Sequence, residues 1–398
     1  MLQAVILAAG KSTRTYPLTL TRPKPLLKVM NKPILAHLFD QLLECGVEET
    51  IVIDGYKKEM IREHFGNEYK GMKLKFVEQK EQLGTLHALH QVKYYLKDRF
   101  FVLYGDDLLH ADDLKKCLDY KYAISLMKTN TPERFGIAVV ENGRVVNIIE
   151  KPKYFIGDLA SVGGFMFDMK IFDYPMVKDE GELEFYIPNM LRKLAKDEVV
   201  KPIIIEKYWL PTGYVWDLLN ANECMIKSLN ESKIDGIVEG GVTINGNVII
   251  GKGTLVKAGT YLEGNVIIGD NCVIGPNAYL KDGTIIGDNC KVGHHVTIKN
   301  SILMGRTSVS HLSYIGDSIL GVNVNVGAGC IVANLRHDGK NVKSEHNDDV
   351  ISTGRRKFGV VLSDNVKVGV KTIFYPGRKM WPDTFTLPGD IVKKDIKE

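Results

Sequence analysis

The residues best suited to chemistry gather in a few short segments. Leu7-Ala8-Ala9-Gly10-Lys11-Ser12-Thr13-Arg14 sets small side chains between an apolar strand and an expected helix. Backbone N–H groups around Leu7, Ala9 and Gly10 can then approach a nucleotide, and a helix N-terminus would favour its phosphates. The segment lacks the earlier glycine of the GxxxxGKS phosphate loop, so it is a different device. Much farther on, Lys281 and Lys299 occupy the same place in successive turns of a repetitive region. If they stack on one outer corner, their ammonium groups repel, and an anion between them relieves the repulsion. A sugar phosphate would serve. Glu263, one turn of the repeat upstream, offers the alternative of a surface charge ladder.

The first half alternates strand-like and helix-like stretches: strands at 4–7, 50–53, 74–77 and 100–104, and helices at 33–45, 57–65 and 85–95. Such alternation predicts an α/β, Rossmann-like domain with a mostly parallel sheet and helices on both faces. Ligands bind such sheets at the carboxyl ends of the strands, where these motifs fall. From Val248 the chain divides into hexapeptides whose third residues are Ile250, Val256, Leu262, Ile268, Ile274, Leu280, Ile286, Val292, Ile298 and Met304. A period of six predicts a parallel β-helix, with three hexapeptides to each triangular coil. The expected organisation is the Rossmann-like domain over 1–227, a linker and first irregular coil over 228–246, and a left-handed β-helix with a C-terminal tail over 247–398. Cys272 and Cys290 should stack one coil apart, as a ladder of small buried side chains or as a disulfide, which a reducing compartment disfavours.

The ordered motifs of the first half resemble the sugar-1-phosphate nucleotidylyltransferase family. They are LAAGKSTR, Arg22-Pro23-Lys24-Pro25-Leu26-Leu27, Gln79 with Gln82-Leu83-Gly84-Thr85, Tyr104-Gly105-Asp106, and Glu150-Lys151-Pro152. The resemblance implies attack of a sugar phosphate oxygen on the α-phosphorus of UTP or dTTP, with release of pyrophosphate. Such a step needs positioning and charge neutralisation. By resemblance, Arg14 neutralises the leaving pyrophosphate and Lys24 holds the α-phosphate. Gln79, Gln82, Gly84 and Thr85 form the base-recognition segment, and Tyr104, Gly105, Glu150 and Lys151 serve the sugar phosphate. Asp106 would bind Mg²⁺ or Mn²⁺. Pro211, in Trp209-Leu210-Pro211-Thr212-Gly213, stands where the family often carries a second metal-binding Asp. Asp217 is then either a substitute ligand or a helix-start residue. Val162-Gly163-Gly164 replaces the Asn-Thr-Gly common in relatives selective for N-acetylglucosamine 1-phosphate.

His311-Leu312-Ser313-Tyr314-Ile315-Gly316-Asp317 resembles the acetyltransferase half of bifunctional uridylyltransferase/glucosamine-1-phosphate acetyltransferases. Asn325, Asn334, Lys340 and Lys299 follow that family's spacings, and Lys281 stands where its bacterial members have Arg. The resemblance implies that His311 is the base that frees the amine of glucosamine 1-phosphate, or galactosamine 1-phosphate, to attack acetyl-CoA. Tyr314 and Asn325 would orient the sugar, Asn334 would act at the amine, and the N–H of Ala328 would face the thioester. The cations of Ile351–Lys357 either bind CoA phosphates from a neighbouring subunit or form a solvated loop. A homotrimer built on the β-helix is expected by analogy. The alternative is a monofunctional glucose-1-phosphate thymidylyl- or uridylyltransferase with a structural, trimerising β-helix.

Composition excludes other classes. A net charge of +4 without a long basic run gives no reason to expect nucleic acid or an acidic membrane. Six scattered cysteines, none in a CxxC pair, argue against zinc and for a cytoplasmic, reduced protein. No apolar stretch is long enough to be a signal peptide or to span a bilayer.

Overall fold

Gln3–Leu7 (β1) is apolar after its first residue and buried at Ala4, Val5 and Ile6, as a strand covered on both faces must be. In a computed structural model, which describes residues 1–179, 181, 183–347 and 349–398, β1 pairs in parallel with Glu49–Asp54 (β2) and Phe100–Tyr104 (β4). Met72–Glu78 (β3) extends the parallel set beyond β2. These strands form the centre of a ten-stranded sheet. Tyr122–Lys128 (β5), Gly136–Glu141 (β6), Arg144–Glu150 (β7), Leu159–Phe167 (β8) and Val200–Ile204 (β9), with the short strand Glu68–Tyr69 at the edge beside β3, complete it, with β8 antiparallel to β4.

Helices cover both faces. Ile34–Glu44 (α1) and Lys58–Phe65 (α2) pack with Ala4 and Ile6 on one side. Thr85–His90 (α3) and Ile187–Asp197 (α4) pack with Val5 on the other. Two expectations are corrected here. The helix over 85–95 ends at His90 and is followed by a single 3₁₀ turn at Lys93–Tyr95. The small-residue loop after β1 leads into 3₁₀ turns at Thr13–Thr15, Leu18–Leu20 and Lys24–Leu26. No α-helix N-terminus faces a ligand there. Pro17, Pro23 and Pro25 withhold backbone donors in that stretch and help to keep it from winding into a helix.

By its contacts the chain divides into two units. The first comprises Met1–Lys11, Pro23–Leu26 and Pro33–Pro211, and the second Ser12–Arg22, Leu27–Lys32 and Thr212–Glu398. The second unit is dominated by three parallel sheets of eight, seven and eight strands, each coil giving one strand to each sheet in turn. This is the left-handed β-helix that the hexapeptide period predicts. Rungs run from Lys233–Ile234 to Ile391–Val392, so the region after Val366 carries regular rungs as well as a tail. Nine of the ten period-six residues, Ile250 through Ile298, lie in one continuous apolar core.

The tenth does not. Ile268 pairs with Ile286, a coil of three full hexapeptides, but Ile286 pairs with Leu303, a coil one residue shorter. Leu303 takes the core position that the period assigned to Met304. The residue is lost at a corner: Lys281-Asp282-Gly283-Thr284 on one coil is answered by Lys299-Asn300-Ser301 on the next. The following coil, which pairs Leu303 with Leu320, has the same shortened length. Cys272 and Cys290 stack as expected. Both thiols are free and buried, and the Cys290 N–H points at the Cys272 Sγ at 3.4 Å.

Candidate active sites

In the first unit the motif residues converge at the carboxyl ends of β1, β3 and β4. Tyr104 and Leu7 are paired last residues of adjacent parallel strands. Gly105 N–H donates to the Leu7 carbonyl at 2.9 Å, and a Cβ on Gly105 would lie 2.8 Å from that oxygen. Only glycine lets the two strand ends approach so closely. The Ala9 carbonyl accepts from Tyr56 N–H at 3.2 Å, and Gly10 is exposed. Lys24, 3% exposed, reaches Asp106 at 2.6 Å. Burying an ammonium requires such a partner. The expected phosphate ligand and metal ligand are therefore neighbours.

The expected base-recognition segment is held by its own amides. Gln79 is buried, donating to the Gly84 carbonyl at 3.2 Å, and its Nε2 lies 3.0 Å from His87 Nδ1. Gln82 donates to the Gln79 carbonyl at 3.1 Å. Gly84 has φ 105°, and a Cβ there would strike the backbone of Phe185 at 2.4 Å. Thr85 accepts from Ile187 N–H at 3.1 Å and hydrogen-bonds Tyr104, whose phenol burial pushes well above its ordinary value, with Glu150 next in effect. Gly163, at φ 75°, would place a Cβ 2.4 Å from the Tyr104 ring. That glycine, unassigned in the sequence reading, is what gives Tyr104 its place. Lys151 lies 3.5 Å from Glu150 and 5.6 Å over the Tyr186 ring. Pro211 pairs across from Asp107 in a two-stranded ladder, Trp209–Pro211 with Asp107–Leu109.

Arg14 and Asp217 belong to the second unit. Arg14 lies 5.5 Å over the ring of Tyr214, which stacks on Trp216 at 4.7 Å. Asp217 opens the helix Asp217–Met225 (α5), accepting from Tyr214 N–H at 2.7 Å and Asn220 Nδ2 at 3.2 Å. That engagement is a helix-start role. Among the described residues no group of three or more His, Cys, Asp or Glu side chains could hold a metal ion unaided.

The β-helix brings the expected acyl-transfer residues to its corners and edges. Lys281 and Lys299 are paired rungs, as predicted. Lys281 also lies 3.5 Å from Glu263, so the charge ladder is present alongside them. The register pairs Val292 with Val309 and Val309 with Val326. Two positions beyond each stand His294, His311 and Ala328, successive rungs of one corner. Gly329 N–H donates to the His311 carbonyl at 2.8 Å, tying the last two together. His311 is exposed, and Gly293 leaves room for its ring, since a Cβ there would lie 2.7 Å from Nδ1. Asn325 is an exposed rung, and Lys340 N–H donates to Asp338.

Three features were not anticipated. His294 stacks on His311 with centroids 4.1 Å apart, while its Nδ1 lies 3.0 Å from that of His295. Burial and the neighbouring His311 and His295 push the His294 pKa below its ordinary value. A full coil would have set Leu312 there; the shortened coil sets His311. Next, Asp317, 3% exposed, accepts from Asn300 at 2.8 Å and from Asn334 at 2.6 Å. Finally, Arg355, in the segment read as CoA-binding or solvated, is held by Glu223 and Asn220 of α5 with its side chain 10% exposed. Arg356 and Lys357 of the same segment are exposed. Burial raises the Glu223 pKa, but hydrogen bonds from Arg355 and Asn300 outweigh this and hold it below the usual value.

Comparisons with known proteins accord with both halves. A nucleotidyl transferase family model matches residues 3–228, and a GMPPB C-terminal domain model matches 262–375. The bifunctional protein GlmU of Methanocaldococcus jannaschii is 38% identical over 404 residues, covering 100% of this chain and 96% of that protein. GlmU of Methanococcus maripaludis is 41% identical at the same coverage. A bifunctional sugar-1-phosphate nucleotidylyltransferase/acetyltransferase of Sulfurisphaera tokodaii is 35% identical, covering 99% of this chain and 98% of its own. A crystal structure of a Bacillus anthracis protein assigned as a glucose-1-phosphate thymidylyltransferase, with sucrose bound, has a TM-score of 0.53 at 26% identity, covering 58% of this chain and 98% of that one.

Proposed function

This chain belongs to the GlmU family of bifunctional sugar-1-phosphate nucleotidylyltransferase/acetyltransferases, and we propose that it acetylates glucosamine 1-phosphate and then joins the product to the nucleotide of UTP. The observation that carries the acetyl-transfer reading is the corner where exposed His311 is followed, one rung on, by Ala328. In that reaction the amine nitrogen of the sugar attacks the acetyl carbonyl of acetyl-CoA. An N–C bond forms and the C–S bond breaks. The nitrogen's proton passes to His311, and CoA leaves as a thiolate that is reprotonated. General-base assistance of this kind contributes about 10²–10⁴-fold. The Lys281–Lys299 ladder holds the sugar phosphate.

In the nucleotidyl transfer, Lys24 holds the α-phosphate and Arg14 neutralises the leaving pyrophosphate. Gln79, Gln82, Gly84 and Thr85 hold the base, and Tyr104, Glu150 and Lys151 hold the sugar phosphate. Asp106 fits a hard divalent cation such as Mg²⁺. It is a carboxylate already in contact with the Lys24 charge, and in the absence of a protein cage the substrate phosphates would complete its ligands. A bound Mg²⁺ supplies charge neutralisation on the transferring phosphate. The free state of all six cysteines supports a cytoplasmic location. Among the described residues no helix is long and apolar enough to cross a membrane. The family reading also supports a homotrimer formed through the β-helix.

The test is to mix the protein with acetyl-CoA and glucosamine 1-phosphate and follow free thiol. Release that His311→Ala abolishes supports the reading. Unchanged release in the variant removes His311 from the reaction. No release from the parent protein reduces the β-helix to a scaffold.

A further inference from the structure

Asn334 can present either a donor or an acceptor to a substrate, because its side-chain amide carries both. Its neighbours decide which. Asp317 lies one rung earlier on the same edge, and its carboxylate can only accept hydrogen bonds. The atom 2.6 Å from Asp317 Oδ2 must therefore be Asn334 Nδ2, a placement set by chemistry rather than by which way an amide is drawn. The second hydrogen of that nitrogen is directed to the Tyr314 hydroxyl at 3.3 Å. Both N–H groups are then used. Asn334 Oδ1 accepts from no described residue, and the side chain is only partly covered.

Asp317 is itself fixed. Its other oxygen accepts from Asn300 Nδ2 at 2.8 Å, Arg355 stands 3.8 Å away, and Glu223 holds both Asn300 and Arg355. Gly316 lets the group close up, since a Cβ there would lie 2.6 Å from Asn334 Nδ2 and 2.7 Å from the Tyr314 hydroxyl.

We propose that Asp317 is a positioning residue for acetyl transfer: it locks Asn334 with its carbonyl oxygen free, so that the site recognises an acceptor substrate by an N–H that it donates. The class of substrate this selects is a primary amine on a sugar phosphate. While His311 takes one proton from that nitrogen, Asn334 Oδ1 accepts a hydrogen bond from another and aims the lone pair at the thioester. This rests on the acetyl-transfer reading given above.

The experiment compares Asp317→Asn with the swap Asp317→Asn/Asn334→Asp, using acetyl-CoA and glucosamine 1-phosphate. In Asp317→Asn the new amide donates toward position 334, and Asn334 turns its NH₂ to the substrate. The KM for glucosamine 1-phosphate should rise by about 10–100-fold, the ratio for one buried hydrogen bond left unmade. The KM for acetyl-CoA should stay within about twofold, since loss of uniform binding to one substrate leaves the other unaffected. The swap restores an acceptor at position 334 and should recover most of the lost affinity. The inference is overturned if Asp317→Asn leaves the amino-sugar KM unchanged, or if both KM values rise together and the swap recovers neither. The acetyl-transfer reading fails separately, through unchanged thiol release in His311→Ala.

Discussion

Gly163→Ala tests how the nucleotidyl-transfer site is built. Two costs arise at this position. The backbone sits at φ 75°, where an L side chain costs roughly 1–2 kcal/mol. The new Cβ would also lie 2.4 Å from Cδ2, 2.7 Å from Cγ and 3.0 Å from Cβ of Tyr104. Overlap with a ring that is hydrogen-bonded to Thr85 is relieved only by moving the ring or the strand, and overpacking of this kind costs about 1–3 kcal/mol. Together they remove about 2–5 kcal/mol. At roughly 2–4 °C per kcal/mol for a domain of this size, the first transition should fall by about 4–20 °C. Because the strain bears on Tyr104, nucleotidyl transfer should lose affinity for the sugar phosphate well below the melting point. Acetyl transfer, measured on the same preparation, should be unchanged. Differential scanning fluorimetry and a pyrophosphate-release assay read these effects. A variant with parental melting and parental KM would refute the claim that Gly163 exists to admit Tyr104.

Leu303→Ala should destabilise the β-helix by about 2–5 kcal/mol, as core truncations do; a loss below about 1 kcal/mol in urea melts would contradict its place in the core. Lys24→Ala leaves Asp106 without its 2.6 Å partner and should lower the kcat of nucleotidyl transfer by about 10²–10³-fold, measured as pyrophosphate release, with thiol release from acetyl-CoA intact. Burial, Lys379 and Arg14 hold the His346 pKa below its ordinary 6.5. The fold therefore favours neutral His346; its contribution is full above about pH 6.5 and is lost as pH falls toward the lower folded value. His346→Phe, which keeps the edge contact to Tyr214, should flatten that acid-side loss in urea melts; an unaltered pH slope would contradict it.

Much of this architecture is written in local pattern. The parallel sheet follows from alternating apolar strands and amphipathic helices, and the β-helix from one apolar residue in six. The motif residues at strand ends could be named because each motif is contiguous. What escaped reading is what depends on coil length. Ile302-Leu303-Met304 is an unbroken apolar run, so period six accepts Met304 as readily as the backbone accepts Leu303. The missing residue in the Lys299-Asn300-Ser301 corner then shifts every later rung. That shift sets His294 on His311 and Asp317 between Asn300 and Asn334. A strict count of three full hexapeptides to the coil would align none of these. The pairing of Arg355 with Glu223 spans 132 residues and has no local signal. The prediction of a helix after the small-residue loop failed because strand–glycine–helix is the common α/β pattern, and here Pro17, Pro23 and Pro25 break it into 3₁₀ turns.

The central claim is that one chain carries two separate transfer sites. The most direct measurement is to assay both reactions on the same preparations of the parent, His311→Ala and Lys24→Ala. Thiol release reports acetyl transfer to glucosamine 1-phosphate, and pyrophosphate release with UTP and Mg²⁺ reports nucleotidyl transfer to ready-made N-acetylglucosamine 1-phosphate. The account predicts that His311→Ala loses only the first and Lys24→Ala only the second. If either substitution abolishes both reactions in a folded protein, or if the parent performs only one, the account of two separate sites is contradicted.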